Sequence, residues 1–141
     1  MALPIFVDTS AWLAVADEGE SSHEIVTSIY KELLKSAVRL ITSDLVIAET
    51  QILIVRRIST DAANIFLDSL NHSPSIEIVF LDQDTELAAK KVLEKFAYQD
   101  LSFTDAASFA IMKARKMRTA FTLDKHFAIE GFRTLPEMKR S

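Results

Sequence analysis

Four acidic side chains stand in places that solvation alone does not explain. Asp8 and Asp124 each follow directly on a short, β-rich apolar run, residues 3–7 and 119–123. Glu49 has Leu45, Val46, Ile52 and Leu53 at the positions three and four away that are its neighbours on a helix. Asp105 lies three residues after Ser102, an acidic variant of the capping box. Each has an ordinary use: Asp8 and Asp124 can cap the next helix, Asp105 suits a helix N-terminus, and Glu49 can sit on a rim or pair with Arg56. Together they point to one acidic pocket. Like charges about 4 Å apart repel by roughly 4 kcal/mol per pair at an effective dielectric near 20, so such a cluster takes up protons or holds cations. Oxygen donors without His or Cys select Mg²⁺ or Mn²⁺ over zinc or copper. Four acids are enough for one ion, or for two sharing a ligand. A divalent pair there suits in-line phosphodiester hydrolysis.

Such a pocket needs a scaffold that brings strand ends and helix starts to one edge. Runs 3–7, 39–42, 76–81, 119–123 and 132–135 are nearly continuously apolar and read as strands buried on both faces. Helical runs lie between them. Ser21 and Glu24 form a capping box, Ser43 caps a helix over Asp44–Arg57, and Ser59 or Thr60 caps the run holding Ile65 and Leu70. Asp82 or Asp84 precedes Leu87, Val92 and Phe96, and Ser102 precedes Phe109 and Met112. Strands alternating with helices predict an α/β fold, a three-layer sandwich around a mostly parallel sheet of about five strands, over one domain spanning 1–141. These sheets place ligands at the carboxyl ends of their strands.

Composition removes the main competitors. The 141 residues carry net charge −4, with 49% hydrophobic and 26% charged residues. With no Cys, disulfide scaffolds, zinc ribbons and cysteine nucleophiles are excluded. The three His (His23, His72, His126) have no paired spacing for zinc, and two Gly cannot write a phosphate loop. No apolar stretch reaches the length of a membrane span, and the start lacks the basic region of an export signal. A cytoplasmic protein is expected.

Four motifs resemble, in order and spacing, the PIN-domain ribonucleases: Phe6-Val-Asp8-Thr-Ser-Ala-Trp12, Ile47-Ala-Glu49-Thr50, Leu101-Ser-Phe-Thr-Asp105-Ala and Phe121-Thr-Leu-Asp124-Lys-His-Phe127. The similarity runs over essentially the whole chain and is strongest to the small stand-alone toxins of VapBC-type toxin–antitoxin pairs. The resemblance implies Mg²⁺- or Mn²⁺-dependent endonucleolytic cleavage of RNA. It assigns Asp8 and Asp105 as principal metal ligands, and Glu49 and Asp124 as the remaining acids. Thr9 and Thr122 match hydroxyl positions that support the site. It also implies a cognate antitoxin protein and a homodimer.

Basic residues for RNA contact are expected at Lys125 and His126, beside Asp124, and at Lys113 in the 113–118 cluster. That cluster also suits a helix C-terminus. Arg56-Arg57 and Lys139-Arg140 are further basic pairs. Trp12 and Phe127 read as core rather than base-stacking residues, and Ser10 and Ser102 as capping or site-supporting hydroxyls. Three alternatives fit less well. A phospho-receiver needs an early acidic pair, which Asp8 lacks. A haloacid-dehalogenase-type phosphatase needs Asp-x-Asp, where this chain has Asp8-Thr-Ser10. A non-catalytic PIN-like RNA-binding or scaffold module has no use for a complete acid set.

Overall fold

The computed structural model describes residues 3–97 and 99–138. Among them are five strands, β1 (Ile5–Val7), β2 (Leu40–Ser43), β3 (Ile76–Val79), β4 (Thr119–Phe121) and β5 (Arg133–Leu135). Seven helices accompany them: α1 (Thr9–Ala16), α2 (His23–Lys35), α3 (Asp44–Arg57), α4 (Thr60–Asn71), α5 (Gln83–Lys95), α6 (Phe103–Ala114) and α7 (Lys125–Glu130). The strands form one sheet in the order β3-β2-β1-β4-β5, every neighbouring pair parallel. The expected sandwich is therefore present, with all five strands where the apolar runs placed them.

Burial follows strand position. β1 and β2 are fully buried, with Phe6, Val7 and Leu40 at 0% exposure. β3 is half-buried along its length, because it is an edge strand with a neighbour on one side only. Trp12 and Phe127 are both core residues. Trp12 packs edge-on against Tyr30 and Phe66, and Phe127 stacks at 89° on Phe109 with centroids 4.8 Å apart. No helix among the described residues is long and apolar enough to cross a membrane.

Helix starts follow the sequence signals with one exception. The side chains of Ser43, Ser59, Asp82 and Ser102 accept the N–H of Val46, Ala62, Thr85 and Asp105 respectively. The Ser21–Glu24 box does not form. α2 begins a residue later, with Ser22 at its N-cap and no side-chain cap. The Ser21 hydroxyl and the Ser22 N–H both turn back to the Glu20 carboxylate, at 3.3 Å each. At the far end of the chain Gly131, at φ 109°, closes α7 in the left-handed region that a β-carbon disfavours.

The connections run outward from β1 in both directions: β2 and β3 on one side, β4 and β5 on the other. That reversal opens a crevice at the carboxyl ends of β1 and β4, where open parallel sheets hold ligands.

Candidate active site

Asp8 is the first residue beyond β1, and Thr122 the first beyond β4. The Val7–Phe121 pairing sets them side by side. Asp8 occupies the N-cap position of α1 in extended backbone, yet its carboxylate caps nothing. Its Oδ2 instead accepts two hydroxyls, Ser10 Oγ and Thr122 Oγ1, each at 2.9 Å. Those hydroxyls are themselves oriented. Ser10 Oγ accepts the Leu123 N–H at 2.8 Å, and Thr122 Oγ1 accepts the Asp124 N–H at 2.9 Å. Each hydroxyl has one proton, and with the N–H groups already donating, both protons are directed to Asp8. The capping use thus gives way to a hydroxyl cradle on Oδ2, and Asp8 lines the pocket.

The other acids arrive from three more elements. Asp105 lies in the first turn of α6, its own N–H taken by Ser102 Oγ at 3.0 Å. Asp124 does cap its helix: Oδ1 accepts the His126 N–H at 2.9 Å and meets the His126 ring Nδ1 at 2.8 Å. Glu49 faces inward from the second turn of α3, half-buried, and among the described residues it forms no ion pair, with Arg56 or any other cation. Asp8, Glu49, Asp105 and Asp124 all line one pocket of about 230 Å³.

The charges in this pocket are strained. Burial pushes Asp8 up to about 6, despite the Thr122 and Ser10 hydroxyls that favour its ionised form. Asp105 rises to about 7, chiefly through burial, then through the charges of Asp8 and Asp124 and, less, of Glu49. A polar atom is also left over: Thr9 Oγ1 is buried on the pocket wall without a partner among the described residues. Oxygen donors from four elements, unpaired with any Lys or Arg among the described residues, together with a stranded hydroxyl, fit a divalent cation. Asp105, Asp124 and His126 bring ligand atoms within 4.8 Å of one another, so the His126 ring lies within reach of two of the carboxylates.

A PIN domain profile matches residues 5–130. The chain belongs to the PIN-domain family. It is 31% identical over 128 residues, 91% of this chain and 95% of the other, to the 23S rRNA-specific endonuclease VapC20 of Mycobacterium tuberculosis. It is 30% identical over 125 residues, 88% of this chain and 90% of the other, to ribonuclease VapC26 of the same organism. The crystal structure of VapC20, described as a sarcin–ricin loop cleaving toxin, superposes with a TM-score of 0.83 over 91% of this chain and 95% of that one. The DNA-bound VapBC of Salmonella typhimurium shares the fold at a TM-score of 0.64 and 11% identity, over 94% and 97% of the two chains.

Not every expected residue of this PIN domain reaches the pocket. Lys113 sits near the end of α6, two turns beyond Asp105, and its ammonium contacts Glu130 Oε1 at 2.7 Å. That places it at the opposite edge of the sheet, because α6 runs away from the pocket. Glu130, the last residue of α7, is a buried carboxylate. Its side chain is 4% exposed, held by Lys113 and by Lys95 at 3.3 Å. Lys125 is exposed beside Asp124, and His126 is half-buried against it. Lys139-Arg140 lies outside the described residues. Two residues gain importance: Ser10, through its bridge between Asp8 and the chain after β4, and Arg57, which lines the acidic pocket. Arg57 was legible in principle, since Glu49, Leu53 and Arg57 repeat every four residues along one helix face.

Proposed function

We propose that this chain, as one nuclease unit over 1–141, is a divalent-cation-dependent endoribonuclease and the toxin of a VapBC-type pair in the cytoplasm. The observation that carries the reading is the convergence of Asp8, Glu49, Asp105 and Asp124 on one pocket, with no Lys or Arg among the described residues paired to any of them. The names of VapC20 and VapC26 support RNA as substrate, and 23S rRNA is the first RNA to test. The likeness to VapBC assemblies supports an antitoxin partner. Exposed apolar side chains such as Phe80 and Ile65, about 70% accessible each, suit protein contacts, including a second copy.

Asp8 and Asp105 would be the principal ligands of the cation, with Glu49 and Asp124 completing the shell. The carboxylates favour Mg²⁺ or Mn²⁺, and the ring nitrogen of His126 tilts the choice toward Mn²⁺. When bound, the ion supplies Lewis-acid stabilisation of the charge that develops on the phosphate and an acidified water. The chain's own residues do the positioning. Ser10 and Thr122 hold Asp8 in one rotamer, Ser102 fixes the start of α6 under Asp105, and the His126 N–H fixes Asp124. Thr9 Oγ1 offers the attacking water a hydrogen-bond partner. Water adds to phosphorus, the bond to the 3′-oxygen breaks, and the products are a 5′-phosphate and a 3′-hydroxyl.

The test is cut-site mapping on defined RNAs, 23S rRNA included, with Mg²⁺ or Mn²⁺. Asp105→Asn is expected to lower cleavage by about 10³-fold or more, and a chelator to abolish it. Cleavage that persists in chelator, or survives in Asp105→Asn, refutes the reading.

A further inference from the structure

The acidic pocket continues into a trough between two helices. α1 contributes Thr9 and Leu13 to its wall, and α3 contributes Glu49, Leu53 and Arg57. Both sets are spaced by four residues, so each is a stripe on one helix face. Along α3 the wall runs from the Glu49 carboxylate past Leu53 to the Arg57 guanidinium, with Leu13 of α1 lining the same pocket. Eight residues of helix rise separate Glu49 from Arg57, about 12 Å along the axis.

Arg57 is the one cationic side chain lining the pocket among the described residues. It is exposed and, among the described residues, takes part in no ion pair, although four carboxylates line the same pocket. Placement in the last turn of α3 also complements the helix dipole, but Arg56 shares that placement and exposure without lining the pocket. What sets Arg57 apart is the trough. A planar guanidinium with five donors is suited to grip a phosphate by two hydrogen bonds.

We propose that the trough is the subsite for the nucleotide adjoining the cut. Leu13 and Leu53 carry its sugar or base face, and Arg57 clips its outer phosphate. The spacing sets Arg57 on a neighbouring phosphate rather than on the one being broken. This assignment rests on the nuclease reading above and deepens it by naming where the strand leaves the acids.

The experiment uses short RNAs carrying one uncharged methylphosphonate at each position flanking the mapped cut, digested by wild type, Arg57→Ala and Arg56→Ala. Arg57→Ala is expected to lower kcat/KM by about 10- to 100-fold, mostly through KM, while Arg56→Ala stays within about 3-fold. One neighbouring methylphosphonate should cost wild type a similar factor and cost Arg57→Ala nothing further. Calorimetric Mn²⁺ affinity should be the same in Arg57→Ala and wild type. The proposal is overturned if Arg57→Ala cleaves like wild type, if both respond alike to every methylphosphonate, or if the defect tracks a changed Mn²⁺ affinity. Binding of uncut RNA to Asp105→Asn, with and without Arg57→Ala, separates the two readings. Wild type that never cuts refutes the nuclease. Equal RNA affinity with and without Arg57 refutes the subsite.

Discussion

The two edges of the sheet treat carboxylates in opposite ways. At the amino edge, Glu77 on β3 is held by Arg115 at 2.8 Å and Arg39 at 3.1 Å, and these contacts, Arg115's above all, keep it below its usual range. Glu130, at the end of α7, is clamped by Lys113 and Lys95. The basic ends of α5 and α6, Lys95 and Lys113, complement their helix dipoles and meet Glu130 at this edge. At the carboxyl edge Asp8 and Asp105 have no such partners among the described residues and are pushed up instead. The chain can neutralise a carboxylate with two cations and does so twice. The uncompensated cluster therefore reflects its place at the ligand-binding edge, not a shortage of basic residues.

The contrast can be broken most decisively at Asp8. Unfolded, its carboxyl ionises near 3.8; folded, near 6. Between those values the folded state holds more protons, so stability falls as pH rises through that window. Asp105, raised to about 7, extends the decline toward neutrality. Asp8→Asn keeps an oxygen for Ser10 and Thr122 but removes the buried charge. In chelator at pH 7.5 it should raise stability by on the order of 3 kcal/mol and flatten the decline between pH 4.5 and 7.5. Urea unfolding at both pH values measures this, and an Asp8→Asn protein less stable than wild type at pH 7.5 would show that the edge is not strained.

A smaller effect of opposite sign is expected at the other edge. Glu130→Ala strips two lysines of their common partner and should cost about 2 kcal/mol. The lysines are 47% and 64% exposed and can rehydrate, which keeps the loss from being larger. A thermal melt that does not move would mean that the clamp is ornamental. Smallest is Thr122→Val, which removes one hydroxyl from Asp8 Oδ2 and leaves the Asp124 N–H unpaired. It should cost about 1 kcal/mol and push the Asp8 carboxyl further up, visible in the carboxyl carbon shift on pH titration. An unmoved titration would remove Thr122 from the cradle.

Much of this was legible from local chemistry. Apolar runs located all five strands because parallel strands are covered on both faces, and the Ser and Asp caps located helix starts because an N-cap bond spans only three residues. The four acids stood out for equally local reasons: Asp8 and Asp124 followed strands, Glu49 interrupted an apolar stripe and Asp105 sat three residues after a capping Ser102. Where a side chain had two local uses, sequence could not choose. Asp8 and Asp124 share the same signature, yet Asp124 caps its helix and Asp8 does not. The difference comes from β4, which delivers Thr122 to Asp8 across 114 residues.

What the residue order determined by itself was the set of elements and the short-range bonds that start and stop them, since those depend on neighbours within a turn. Which acid meets which partner was decided only by the packed sheet. Strand order set the exposed ammonium of Lys113 on the buried carboxylate of Glu130, away from the lining of the acidic pocket. It also brought Arg57 to the acids rather than to solvent alone. Charge interactions depend on distance and burial, and both are set by contacts between residues far apart in the chain.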